Sequence, residues 1–164
     1  MTDIAAALGL VQLERDELLS ARREIAAAYS DAFRASAAAD LLALPDDADD
    51  GSHAWHLYVI RLALKRLKLD RAQMIDQLKA LGIGTSVHFI PLHLHPYYRR
   101  RSGYAPADLP VATAEYERAI SLPLWPGMTA RDIDRVVDTV HDVLVAARRG
   151  RSLVDNARSR DLRG

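Results

Sequence analysis

Residues 82–98, GIGTSVHFIPLHLHPYY, combine a predicted strand, a proline stop, three histidines and a pair of tyrosines. The first half alternates between two sets of side chains: Ile83, Thr85, Val87 and Phe89, and Gly84, Ser86 and His88. A period of two is typical of a strand with one buried face, so the set with Phe89 is predicted to face the core. Pro91 ends the strand because it has no N–H to donate to a sheet. The pattern therefore predicts that His88 lies near a strand end, on the face away from the core.

The composition favours a globular protein with no overall electrostatic field. The 164 residues carry 22 basic and 22 acidic side chains, and no cysteine. Disulfides and thiolate chemistry are therefore excluded, and nothing favours nucleic acid or anionic lipid as a partner. No apolar run is long enough to span a membrane, and residue 1 is not followed by a secretory leader, so we expect a cytoplasmic protein without membrane contacts.

The first part of the chain is predicted to be one long helix over residues 3–34. Ile4, Val11, Leu18 and Ile25 recur at intervals of seven and form an apolar stripe together with Leu8. We expect this helix to lie across another surface. A parallel helical zipper is the alternative interpretation of the same stripe.

A strand and a capped helix are predicted next. Residues 53–63, HAWHLYVIRLA, are rich in aromatic and β-branched residues and apolar on both faces, so a central strand is expected. Asp70 and Gln73 form a variant of the capping box that begins a helix, and Gly82 is suited to its left-handed end. The helix then leads directly into the stretch 82–98.

The second half is predicted to contain a short helix from Pro96, a helix over 108–119, a small edge strand over 121–124 and a last helix. Thr129 and Asp132 have the spacing of a capping box at the start of that last helix. The whole order predicts an α+β domain in which a small sheet is covered by helices. We divide the chain into a helical segment, 1–44, an α+β domain, 45–148, and a disordered basic tail, 149–164.

The residues alone suggest a binding surface and no catalytic constellation. His88, His93 and His95 are close in sequence, and a metal site there is one interpretation. No carboxylate lies nearby in sequence, however, and the prolines bend the path between the histidines, so hydrogen bonding to a polar ligand is preferred. No nucleophile elbow and no glycine-rich phosphate loop is present.

Three stretches resemble one family in the same order. They are AWHLYVIRL at 54–62, LKALGIGTSVHFIPLHLHPYYRR at 78–100 and GYAPADLPVATAEYERAISLPLWPGMTARDIDRVV at 103–137. The opening 29 residues, MTDIAAALGLVQLERDELLSARREIAAAY, resemble the helix that follows the large domain in that family. From Met1 to about Val145 the chain resembles the C-terminal part of the DegT/DnrJ/EryC1/StrS sugar aminotransferases.

The resemblance implies the small domain of a fold-type-I, pyridoxal-phosphate-dependent enzyme that moves an amino group from glutamate to a nucleotide-linked keto-sugar. It also implies a homodimer whose cofactor contacts and aldimine lysine lie in the large domain, before the segment that matches Met1. His88 matches the histidine at the mouth of the site, Phe89, Pro91 and His93 match its flanking motif, and Tyr97 is a further candidate. The resemblance thus predicts these five as substrate-binding residues, with no catalytic, cofactor or metal residue in this chain.

The lysines test whether the chain could catalyse alone. Only Lys65, Lys68 and Lys79 occur, all in charged or polar surroundings in the sequence, whereas a Schiff-base lysine needs a desolvated position. We expect a domain that is inactive by itself and that needs a complementing large-domain chain. The alternatives are a non-catalytic binding or assembly module, which would use the stripe of the first helix, and a histidine-based metal-binding domain.

Overall fold

The computed structural model describes residues 1–46 and 53–148. The predicted basic tail, 149–164, lies outside the described residues. Within them the helices are α1 Asp3–Leu13, α2 Asp16–Ala35, α3 Arg71–Ala80, α4 Pro96–Ser102, α5 Pro110–Arg118 and α6 Ala130–Arg148, and the strands are β1 Leu42–Ala43, β2 Tyr58–Leu62 and β3 Ala119–Leu122. None of these helices has the length and apolar character needed to cross a bilayer.

The three strands form one antiparallel sheet in the order β1-β2-β3. The predicted strand at 53–63 is indeed the central one, but its pairing begins only at Tyr58. Trp55 explains the late start, because its φ of 46° interrupts the extended backbone. Side chains of β2 alternate between buried and half-buried, which places Tyr58, Ile60 and Leu62 in the core.

One hydrophobic core joins the sheet to α2, α3 and α6. Aromatic side chains of α2, Tyr29 and Phe33, share this core with Val140 and Leu144 of α6. Each large apolar side chain buried in this way stabilises the fold by about 1.5–3 kcal/mol. The helices and the small sheet confirm the α+β prediction. The division at residue 44 stays a prediction, although α2 and β2 share the core.

The prediction of one unbroken helix over residues 3–34 is wrong. Helix α1 ends at Leu13, and α2 begins at Asp16 after Arg15 leaves helical geometry with φ −95° and ψ 65°. The acidic pair Asp16 and Glu17 favours a new N-terminus there, where the helix dipole is positive. Helix α1 buries no residue, so packing does not hold the two helices in line.

The predicted helix ends are present. In the capping box of α3, the Asp70 carboxylate accepts from the Gln73 backbone N–H at 2.8 Å, and the Asp70 N–H donates to the Gln73 side chain at 2.9 Å. Gly82 has φ +80° after α3, and a Cβ built there would lie 2.6 Å from the Arg135 guanidinium. The left-handed conformation favours glycine here, whereas the Arg135 guanidinium is the end of a flexible side chain and can move aside.

The predicted strand at 83–89 is wrong for most of its length. Of residues 83–89, all of which the structure describes, only Ser86 pairs with the sheet: its N–H donates to the Ser121 carbonyl at 3.1 Å, and the Ser121 N–H donates back at 2.8 Å. Ile83 is buried as predicted, but the Phe89 side chain is 81% exposed. The chain leaves β3 after this single bridge, and alternation then no longer determines burial.

Candidate functional site

His88 is held at the edge of the sheet by a buried serine. Its Nδ1 atom lies 3.1 Å from Ser121 Oγ, and Ser86 Oγ lies 3.4 Å away. Ser121 is only 4% exposed, whereas His88 is exposed. Among the described residues Nε2 of His88 has no hydrogen-bond partner, so this nitrogen is the one available to a ligand.

Phe89 lies beside this histidine and is open to solvent. The two rings form an edge-to-face pair with centroids 5.3 Å apart and an interplanar angle of 82°. Such a geometry is favourable for aromatic rings and restricts both side chains. His88 and Phe89 together present one polar atom and one large apolar face at the same point of the surface.

His93 is buried and connects the segment 82–98 to α5. It is 4% exposed, and its Nε2 atom lies 2.9 Å from Thr113 Oγ1 in α5. The Thr113 hydroxyl also lies 3.0 Å from the carbonyl oxygens of Pro106 and Leu109. Because carbonyls only accept, the single hydroxyl proton goes to one of them, and Nε2–H of His93 donates to Thr113. The arrangement gives His93 the geometry of a positioning residue.

Pro91 and Tyr97 shape the end of the segment. Pro91 begins a single 3₁₀ turn over Leu92–Leu94, where its carbonyl accepts from the Leu94 N–H at 2.8 Å. Helix α4 then begins at Pro96, and Tyr97 stands in its first turn, 56% exposed and edge-to-face with Tyr98. The proposed substrate residues therefore lie on one continuous segment, with His88, Phe89 and Tyr97 exposed and His93 buried.

The described histidines are not grouped with other potential metal ligands. Within residues 1–46 and 53–148, no three side chains of His, Cys, Asp or Glu come together as a group that could hold a metal ion. His88 and His93 use ring nitrogens on Ser121 and Thr113 instead. The metal-binding alternative therefore has no geometric support.

The residues present do not fit a complete pyridoxal-phosphate site. All three lysines of the chain are exposed. Lys65 lies in a 3₁₀ turn after β2, Lys68 follows it, and Lys79 is in the last turn of α3. None is in the segment that carries His88, and none is desolvated as an aldimine lysine must be.

Sequence reasoning missed the two hydroxyls that hold the histidines. Ser121 is 33 residues from His88, and Thr113 is 20 residues from His93. Neither spacing is a local signal, because both contacts depend on how β3 and α5 pack. The burial of Ser121 in the apolar sequence AISL is the one feature that could have indicated a partner for its hydroxyl.

Comparison with known proteins defines the class of protein to which this fold and segment correspond. The model of the DegT/DnrJ/EryC1/StrS aminotransferase family matches residues 1–141. The chain belongs to this family.

A relative and two solved structures illustrate the match. The spore coat polysaccharide biosynthesis protein SpsC of Bacillus subtilis is 47% identical over 149 residues, which are 90% of this chain and 38% of SpsC. Spr1654 of Streptococcus pneumoniae, named as a sugar aminotransferase, superposes with a TM-score of 0.76 at 31% identity over 90% of this chain and 36% of its own. It has been solved in a PLP-form.

DesV of S. venezuelae, solved in complex with a ketimine intermediate, gives a TM-score of 0.69 at 29% identity. The match covers 85% of this chain and 35% of DesV. The chain thus spans little more than a third of the length of these relatives.

Proposed function

We propose that this chain is the C-terminal small domain of a pyridoxal-phosphate-dependent aminotransferase acting on nucleotide-linked keto-sugars, with glutamate as the amino donor. The single observation that carries the proposal is the family match over residues 1–141. We propose further that the chain is inactive alone, since all three of its lysines are exposed and none lies in the segment 82–98 that carries His88. A cytoplasmic location is part of the proposal and rests on the sequence-based expectation.

Within this proposal, His88, Phe89 and Tyr97 contact the substrate, while Pro91 and His93 hold the segment in shape. The free Nε2 of His88 can donate to or accept from a sugar hydroxyl or carbonyl oxygen. The exposed rings of Phe89 and Tyr97 can cover an apolar face of the sugar. We propose that a large domain covers these rings, and that the partner which brings it is either a complementing large-domain chain or a second subunit in a homodimer.

The first experiment tests inactivity. The purified chain is incubated with pyridoxal phosphate, reduced with borohydride and analysed by mass spectrometry and near-ultraviolet absorption. We expect no stoichiometric adduct. An adduct on one lysine that disappears in a single Lys→Arg variant would contradict the proposal.

The second experiment tests complementation. A polypeptide with the large domain of a close relative is mixed with this chain, and amino transfer from glutamate to a nucleotide-linked keto-sugar is measured. We expect activity only in the mixture, unchanged when Lys65, Lys68 and Lys79 are all replaced by arginine. Activity lost in that triple variant, or no activity in any mixture, would contradict the assignment.

The exposed apolar side chains of α1 favour a second candidate function, a non-catalytic assembly module. Large side chains of this helix are exposed, among them Ile4 (77%), Leu8, Val11 and Leu13. Apolar side chains grouped on one short helix favour a partner surface. Sedimentation velocity is expected to show a dimer that becomes monomeric in a Leu8→Glu/Val11→Glu variant, and a monomer at all concentrations would argue against self-association.

A further inference from the structure

A second concave surface lies immediately beyond the segment that carries His88. It is a cavity of about 390 Å³ lined by Pro96, Arg99, Arg100 and Tyr104, between α4 and the loop that follows it. Its size is within the range of roughly 300–1,000 Å³ that is typical of small-molecule sites. Neither arginine has a role in the site described above.

Two positive charges without counter-charges face this cavity. Across the described parts of the chain, no carboxylate lies within 4.0 Å of Arg99 or Arg100, whereas Arg15, Arg34, Arg66, Arg118 and Arg148 all form ion pairs. The chain as a whole has a formal net charge of zero. Together with Arg101, these side chains make α4 locally positive although the overall charge is zero.

Guanidinium groups at a concave surface favour oxyanions. Arginine presents parallel N–H donors that match phosphate oxygens in a bidentate geometry. The remaining walls, Pro96 and the ring of Tyr104, are apolar or aromatic. An anionic group joined to a flat, partly apolar group fits this combination better than a simple inorganic ion.

One of the proposed substrate residues, Tyr97, lies on the same helix as the arginines of the cavity. Tyr97 and Arg100 are three residues apart in α4, which places them on neighbouring positions of the same helix face. A ligand that contacts the ring of Tyr97 with one end can therefore reach the Arg100 guanidinium with the other.

We infer that Arg99, Arg100 and Tyr104 bind a nucleoside diphosphate, with the arginines on the phosphates and the tyrosine ring against the nucleoside. This inference rests on the proposed function, because it takes the nucleotide to be the carrier end of the substrate. It means that residues of the small domain recognise the nucleoside diphosphate part of the substrate. The isolated chain therefore binds the carrier without a cofactor.

The experiment is a calorimetric titration of the full chain with uridine diphosphate, thymidine diphosphate, pyrophosphate and uridine. We expect both nucleoside diphosphates to bind more tightly than pyrophosphate, and uridine not to bind. An Arg99→Gln/Arg100→Gln variant is expected to weaken binding of the diphosphates at least tenfold. The matched control is Arg101→Gln/Arg131→Gln, which removes the same charge from exposed arginines that do not line the cavity.

Several results would overturn the inference. Equal weakening in both double variants would mean non-specific attraction, and unchanged binding in the Arg99/Arg100 variant would place the ligand elsewhere. Equal affinity for pyrophosphate and the nucleoside diphosphates would reduce the site to an inorganic anion site, as would an unchanged preference in Tyr104→Ala. All variants are checked for native circular dichroism. None of the changed side chains is buried, so the substitutions are expected to leave the fold intact.

The binding measurement and the complementation assay separate the two proposals. If nucleoside diphosphate binding is lost in an assembly that still transfers amino groups, only the inference about Arg99 and Arg100 is contradicted. Carrier binding without amino transfer in any mixture would remove the enzymatic proposal and leave a nucleotide-binding module.

Discussion

Ser121 is a buried hydroxyl whose partner is the exposed His88 ring. We predict that Ser121→Ala releases this ring and lowers the complemented activity about fivefold, the equivalent of one net hydrogen bond of about 1 kcal/mol. The ¹⁵N resonance of His88 Nδ1 should shift in the same variant. Ser86→Ala, which removes the longer contact of 3.4 Å, is the control and should change both readouts less. Equal effects of the two variants would contradict the assignment of Ser121.

Tyr29 connects α2 to the residues after β3. Its hydroxyl donates to the Pro123 carbonyl at 2.8 Å, and burial raises the pKa of this phenol above its ordinary value of 10.0. We predict that Tyr29→Phe lowers the free energy of unfolding by about 1 kcal/mol in chemical denaturation. The exposed Tyr98, changed to Phe, is the control and should leave stability unchanged. A Tyr29→Phe variant as stable as the parent would show that the bond contributes nothing.

At the scale of single residues, the sequence predicts what depends on near neighbours. The caps at Asp70 and Thr129 were predictable because each partner is three residues away. The partners of His88 and His93 were not, since they come from β3 and α5. The cavity at Arg99 and Arg100 was missed for the same reason, because its wall at Tyr104 depends on the path of a loop.

At the scale of elements, Ile4 and Ile25 show that a repeating apolar pattern does not determine which side chains are buried. Both belong to the stripe with a spacing of seven, yet Ile4 is 77% exposed and Ile25 is 4% exposed. We predict that Ile25→Ala lowers the free energy of unfolding by about 2–4 kcal/mol, while Ile4→Ala changes it by less than about 0.5 kcal/mol. Urea denaturation of both variants measures the difference, and equal losses would mean that α1 packs as α2 does.

The start of α6 gives a prediction about pH. The hydroxyl and the backbone N–H of Thr129 donate to the Asp132 carboxylate at 2.7 and 2.9 Å, which lowers the pKa of this carboxyl below its ordinary value of 3.8. A lowered pKa in the folded state means that the contribution is present above 3.8 and is lost as the pH falls through the folded value.

We therefore expect part of the acid-induced loss of stability to disappear in Asp132→Asn. Thermal unfolding between neutral pH and about pH 2, below the usual range for carboxyl groups, measures this. Asp134→Asn, on the same helix but outside the cap, is the control and should keep the parent's acid dependence. A parallel profile for the parent and Asp132→Asn would contradict the role of the cap.

The predicted and observed strands differ because a sequence pattern is local, whereas strand pairing joins residues that are far apart in the chain. β2 was predictable because its composition favours a central strand, whereas β1 is only two residues long and carries no pattern. Residues 83–89 have the alternation of a strand but only one bridge, at Ser86. Sheet pairing is a long-range property, so alternation alone could not show where this segment leaves β3.

At the scale of the whole molecule, the core does not include α1. No residue of Asp3–Leu13 is buried, while five residues of α2 are: Ile25, Ala26, Tyr29, Ser30 and Phe33. We predict that removal of residues 1–15 changes the free energy of unfolding by less than about 0.5 kcal/mol, as for surface substitutions. The same truncation should abolish complementation if α1 docks on the large domain. A large loss of stability would contradict the exclusion of α1 from the core.

The break at Arg15 has a consequence for the order of assembly. Under the proposed function, with α1 as the helix that contacts the large domain, the small domain can fold completely before the two domains meet. In that case the two domains would join without refolding, and α1 would only change its angle to α2 at Arg15. In the proposed enzyme, a covalent link between the two domains would raise their local concentration but would not be needed for them to fit together.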